Sequence, residues 1–319
     1  MPLPRQCEFL LSNKVEKFSS DGLIALILIM ATSMISTAII SPLVFNLVLF
    51  FEKNYHTGVG RYLVTKGLGA FFDRIRWIPI GIGIVVLTKK FRFTKDIFIG
   101  KLRWQSLGYG FLIGLALVFL ATIPHCYLSP SSRTISKPEN PITTLIYFLM
   151  ISASVAFFEE IVFRNILLKI FYTAFRPIIA VILSSMFFAY MHFKGHISLD
   201  ENGYTSIKDG FLCAYSYITS WITYFSVVEF STLTLLGMLL CLITLRYQSL
   251  AIAIGIHWGM VFSLLTYKEF AHISTAPLTF FGTHRVTDSP FVVLLLSLAV
   301  IGAYYLNSFS WQNRVRHYH

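Results

Sequence analysis

Charge is scarce in this sequence. Its 319 residues include 26 Lys and Arg and 15 Asp and Glu, or 13% charged, where a soluble domain carries about 25%. A soluble globule of this size needs more polar surface than that to cover it. Cysteine is scarcer still. Cys7, Cys126, Cys213 and Cys241 stand singly, with no C-x-x-C pair, so they suit small apolar fillers better than a disulfide framework or a metal cage. No fixed-period repeat and no low-complexity tract stands out, and disorder is incompatible with this composition. What fills the chain instead is apolar: 55% hydrophobic residues, with Phe at 30 positions. These counts predict an integral membrane protein of the all-α class.

Crossing about 30 Å of hydrocarbon takes roughly 20 apolar residues per helix. Eight spans are expected, at about 22–50, 68–88, 107–128, 142–171, 178–193, 231–247, 250–267 and 290–308, in a single polytopic helix bundle covering 1–319. The second is interrupted by Asp73, Arg74 and Arg76. The stretch 211–229, rich in Tyr, Ser and Thr, suits an interfacial or re-entrant segment better than a ninth span. The N-terminal stretch has no short apolar core with a small-residue cleavage site, and the first apolar run is too long to be a signal peptide. The net charge of +11 invites a nucleic-acid partner. Its densest run, KKFRFTK with Lys101 and Arg103, instead lies between two apolar segments, where loop cations set topology and meet anionic lipid heads. No nucleic acid is expected. A cytoplasmic N-terminus in a multi-pass protein of the bacterial inner membrane is.

The informative charges lie inside the apolar runs, where an ionisable side chain costs about 3 kcal/mol on insertion scales. The fourth span carries Glu159, Glu160 and Arg164. Glu160 and Arg164 are one helical turn apart and are expected to form an ion pair. Glu159 points about 100° away. Arg164 cannot neutralise both carboxylates, so one is left needing a partner from another helix. The fifth span ends with His192, one turn after Phe188, and the seventh carries His257 near its middle. One intramembrane His alone reads as a packed hydrogen bond. Two His, two Glu and an Arg on three helices read as a functional polar centre. A carboxylate with a nearby imidazole can take a proton from water. A second imidazole or an amide can polarise a carbonyl and stabilise the oxyanion. That set suits hydrolysis of a peptide bond.

At these residues the sequence resembles the CAAX-protease and bacteriocin-processing family of intramembrane glutamate proteases, related to the Ras-converting endoprotease. The family pattern is E-E-x-x-x-R, then F-x-x-x-H, then H-x-x-x-N or a similar polar residue. Here it stands as EEIVFR (Glu159 to Arg164), FAYMH (Phe188 to His192) and HWGMV (His257 to Val261), within a core at about 141–267. The resemblance implies a non-metal peptidase with no cofactor, acting on a peptide or membrane-anchored protein. By it, Glu159 and His192 activate water, Glu160 and Arg164 hold the helix and its electrostatics, and His257 lies at the oxyanion side. Val261 departs from the pattern, because valine cannot donate a hydrogen bond. Either another donor such as Ser263 or Asn165 substitutes, or the protein is slow, or it has become a non-catalytic membrane scaffold or immunity protein of the same fold.

Two rival chemistries find less support in the sequence. A metalloprotease would need H-E-x-x-H or its inverse, and neither occurs. His192 and His196 form a helical i,i+4 pair only if the helix runs through Gly195. A proton-coupled transporter would show an inverted repeat or paired broken helices, and neither is evident.

Overall fold

A computed structural model describes residues 16–56, 64–65, 67–90, 103–128, 133–135, 140–192, 203–223, 225–247, 249–273, 280–281 and 286–316. The basic stretch 91–102, Cys7 and His196 lie outside these. The described chain is almost wholly helical, as the composition predicted. Five helices are long and apolar enough to cross a membrane: Ile24–Tyr55, Trp104–Pro124, Pro141–Tyr172, Val227–Tyr247 and Ala251–Phe270. Pro177–His192 and Pro290–Leu306 are shorter apolar helices. Together these account for seven of the eight expected spans. The eighth, at 68–88, is divided into Gly67–Ile75 and Trp77–Lys90 around Arg76. Asp73 and Arg76 take polar partners from elsewhere in the chain, Tyr217 and Met191.

The chain groups into two compact units. The second unit holds Lys17–Thr94 and Met191–Phe225. Its helices are α1 (Glu16–Tyr55), α2 (Gly67–Ile75), α3 (Trp77–Lys90) and, later in the chain, α8 (Ile207–Thr223). Its core packs Phe45, Leu49, Phe71, Phe72 and Tyr217 around Ala38 and Cys213. Phe72 stacks on Tyr217 at 5.1 Å, and Phe45 meets Phe71 edge-on at 5.3 Å. Gly210 of α8 lies so close to α1 that a methyl group there would collide with the Ala38 carbonyl. Before α8, Asn46 donates to the Thr205 carbonyl at 2.6 Å and accepts from its N–H at 2.8 Å. The 211–229 segment is thus the body of α8 plus the start of a separate helix.

The first unit comprises Met1–Glu16, Lys95–Tyr190 and Ser226–His319. It contains α4 (Trp104–Leu128), α5 (Pro141–Glu160), a π-helical segment (Ile161–Leu167), α6 (Leu168–Ala174) and α7 (Pro177–His192, through Tyr190). After α8 follow α9 (Val227–Tyr247), α10 (Ala251–Phe270) and α11 (Pro290–Arg316). β1 (Arg133–Ile135) pairs antiparallel with β2 (Ala271–Ile273), the one departure from an all-helical chain among the described residues. Pro141 opens α5 at its first turn, where its missing N–H costs nothing.

Lipid tails are as apolar as leucine, so helices in a bilayer associate through close packing and polar contacts rather than the hydrophobic effect. This unit shows both. Gly110 and Gly114 of α4 face Gly255 and Gly259 of α10. A methyl group on any of the four would collide with a carbonyl across the crossing, namely Ile252 O, Ile256 O, Leu107 O or Phe111 O respectively. These are two G-x-x-x-G runs meshed face to face. Trp258 then ties α10 to α5 by donating to the Leu149 carbonyl at 3.0 Å, with its ring against Phe111. Large apolar side chains such as Leu112, Ile113, Phe119, Ile142, Ile146 and Met150 remain exposed, as hydrocarbon surroundings permit.

Candidate active site

The two glutamates close α5, and the residues after them wind into the π-helical segment Ile161–Leu167. Its wider turn carries the Leu168 N–H back to the Phe163 carbonyl, five residues earlier. Ser184 of α7 donates to that same oxygen at 3.2 Å. π turns inside α-helices are uncommon and frequent at functional sites. Here one carries Arg164 and Asn165, both buried.

Within this segment Arg164 Nη1 lies 3.0 Å from Glu160 Oε1. Both side chains are sealed from solvent, at 1% and 0% exposure, so the pair holds two charges away from water and depends on each for the other's compensation. The same Oε1 meets His257 Nδ1 at 2.7 Å, within the range of a charge-assisted hydrogen bond. The other ring nitrogen, Nε2, faces Glu159 Oε2 at 3.8 Å, too long for a direct hydrogen bond. The imidazole therefore stands between the two carboxylates, 97 residues away in sequence from the one it bonds. With Glu160 ionised, Nδ1–H is the donor to it, and Nε2 is turned toward Glu159.

The sequence left one carboxylate needing a partner from another helix, with Glu159 the one outside the Arg164 pair. In the structure the second-helix imidazole goes first to Glu160, which Arg164 also holds. Glu160 is the hub. His257 sits inside the second glycine run, Gly255-Ile-His-Trp-Gly259, where the α4 and α10 backbones approach closely.

Phe188 walls the cluster. Its ring lies under the Arg164 guanidinium at 4.4 Å and meets His257 edge-on at 5.9 Å. Phe163 packs on it at 5.1 Å. An aromatic face under a desolvated guanidinium is an attractive contact. F-x-x-x-H thus contributes its Phe to the cluster directly, a role that the motif alone does not announce. His192 is the last residue of α7, one turn beyond Phe188, half-buried and grouped with the second unit. Val261 lies one turn after His257 and is half-buried. Of the two substitute donors, Ser263 directs its hydroxyl to the Gly259 carbonyl of its own helix at 2.8 Å. Asn165 is buried in the π-helical segment. Among the described residues no group of three or more His, Cys, Asp and Glu forms a metal-holding arrangement.

The fold and the site define a helical membrane protein in which carboxylates, an imidazole and a guanidinium converge among apolar helices, an arrangement that can move a proton. Residues 141–263 match a protein family described as Rce1-like, type II CAAX prenyl endopeptidase Rce1-like. The match covers less than half of the chain, and it contains Glu159, Glu160, Arg164, His192, His257 and Val261. For that segment the likeness to the CAAX-protease family is shown, and at family level it supports a membrane endopeptidase. No curated protein and no solved structure matches the chain.

Proposed function

We propose that this protein is an intramembrane endopeptidase that hydrolyses a peptide bond with glutamate-activated water and no covalent intermediate. Glu159, with His192, takes the proton of the attacking water. Glu160 and Arg164 keep the carboxylate–imidazole geometry rigid. His257, held by Glu160 through Nδ1, lies at the oxyanion side. The observation that carries this reading is the fully buried Arg164–Glu160–His257 chain, with Nε2 directed at Glu159. Ion pairs needed only for packing can often be replaced by apolar residues without loss, so their retention here suits a working site. The part given to His192 rests on the F-x-x-x-H motif. The substrate is a peptide or a membrane-anchored protein segment, and no feature selects a prenylated one. We place the protein in a bacterial inner membrane with its N-terminus on the cytoplasmic side, the orientation resting on the six Lys and Arg at 89–103.

A second reading is supported by one specific feature. Val261 supplies no donor, and the Ser263 hydroxyl is engaged with its own helix, which favours a scaffold or immunity protein that keeps the centre for packing. Losing one oxyanion donor costs roughly 10²–10³ in rate, so slow cleavage and none must be separated by experiment. Wild type, Glu159→Ala and His192→Ala, purified in detergent, are to be compared on a peptide library. The proposal expects cleavage by wild type alone, insensitive to chelators. Equal cleavage by all three would sink it, and loss on chelation would point to a metal instead. If Glu159→Gln leaves a cellular phenotype intact while the protein still accumulates, the scaffold reading gains.

A further inference from the structure

A second buried polar cluster lies in the unit built from α1, α2, α3 and α8, and the chemistry above does not use it. Arg76 occupies the single-residue break between α2 and α3 and is 5% exposed. Its Nη2 lies 2.8 Å from Asp73 Oδ1 and donates to the Met191 carbonyl at 2.9 Å. Its guanidinium lies over the Tyr217 ring at 4.6 Å, and the Tyr217 hydroxyl donates to Asp73 at 2.9 Å. The Arg76 carbonyl in turn accepts from Ser33 of α1 at 3.0 Å. Asp73 of α2 and Tyr217 of α8 therefore fix one guanidinium, Ser33 of α1 holds the Arg76 backbone, and the guanidinium holds the end of α7.

We infer that Arg76 is a positioning residue for the proposed hydrolysis, acting on His192 through the backbone of the last turn of α7. The last carbonyls of a helix have no intrahelical donor, and a cation there is favoured by the helix dipole. Met191 is the penultimate residue of α7. Its carbonyl belongs to the same planar peptide unit as the His192 nitrogen. A hydrogen bond to that oxygen therefore fixes the plane from which His192 departs. Anchoring a helix end does not require a buried Arg–Asp–Tyr cluster, since apolar replacement of buried ion pairs is often neutral or stabilising. The guanidinium adds direction: it bonds the carbonyl while a carboxylate and an aromatic face hold it in place. The inference rests on the hydrolytic reading and on its use of His192.

Removing Arg76 alone would strand Asp73, so the test removes the whole cluster. The full chain carrying Asp73→Leu, Arg76→Met and Tyr217→Phe together is compared in detergent with Arg76→Lys and wild type. Misplacing a catalytic group by about 1 Å costs on the order of 10²-fold. The triple variant is expected to melt near the wild-type temperature, to lose about that factor in kcat with KM little changed, and to lose amide-exchange protection at His192. Arg76→Lys keeps a cation within reach of both oxygens and is expected to recover much of kcat. An unchanged kcat in the folded triple variant would overturn the inference, as would unchanged protection at His192. A kcat loss that merely follows a fall in melting temperature would also count against it. Glu159→Gln, run in parallel, separates the two readings. If it cleaves as fast as wild type the hydrolytic reading fails, while exchange at His192 still decides whether Arg76 holds the end of α7.

Discussion

Glu160 is the group on which both Arg164 and His257 converge, and its charge is the most consequential one to remove. At 3.0 Å, two unit charges attract by about 5–6 kcal/mol with an effective dielectric of roughly 20. Desolvation of two sealed side chains offsets most of that in the intact protein, so the pair adds little net stability. Deleting one partner exposes the offset. Glu160→Gln keeps the shape and an acceptor for His257 Nδ1–H but leaves Arg164 buried without its counter-charge, at an expected cost of about 3–5 kcal/mol. Arg164→Met strands Glu160 and is expected to cost about the same. The double variant strands neither and should lose less than either single change. The assay is a double-mutant cycle on unfolding in mixed micelles, where residues in contact show coupling of about 0.5–3 kcal/mol. This pair should fall at or above the upper end. Additive losses would refute the coupled buried pair and with it the hub role of Glu160.

Three further outcomes follow from the geometry. Val261→Asn restores a donor one turn after His257 and is expected to raise cleavage by up to roughly 10²-fold; a loss of activity would show that no donor is missing there. Gly110→Leu and Gly259→Leu force side chains into the α4–α10 crossing and should cost about 1–3 kcal/mol or more, seen as lower melting temperature and accumulation. Gly108→Leu on the same helix, with open space around it, is the control, and equal effects at Gly108 and Gly110 would contradict the meshed packing. At the start of α8, hydrogen bonds from the Ser206 N–H and hydroxyl, at 2.7 and 2.8 Å, hold the Asp209 carboxyl below its ordinary pKa, the backbone bond contributing most. Because the folded value is the lower one, this cap contributes fully above the ordinary carboxylate pKa of about 3.9 and is lost as the pH falls through the depressed value. Amide exchange in the first turn of α8 should accelerate over that acid range in wild type, and Asp209→Asn should abolish the pH dependence.

Two layers of this protein were written at different ranges along the chain. The sequence by itself determined the membrane class, because apolar run length against bilayer thickness is a local property. It also determined the Glu160–Arg164 pair, since four residues along a helix bring side chains together whatever the rest of the chain does, and here they meet despite the π-helical turn. The three motifs put Glu159, Glu160, Arg164, His192 and His257 forward as candidates by their chemistry, and the structure brings Glu159, Glu160, Arg164 and His257 together. Tertiary structure decided which carboxylate took the imidazole: Glu160 and His257 are 97 residues apart, and no spacing rule reaches that far. It also set the π-helical register of 161–167, where Ser184 of another helix meets the Phe163 carbonyl. The two glycine runs were visible as GFLIG and GIHWG, but that they face each other is a property of the α4–α10 crossing. That Arg76, at the division of the expected span 68–88, bonds the carbonyl of Met191, 115 residues on, was likewise beyond local spacing. Local spacing settled which charges could be tolerated in the apolar runs, and long-range contact settled what each of them holds.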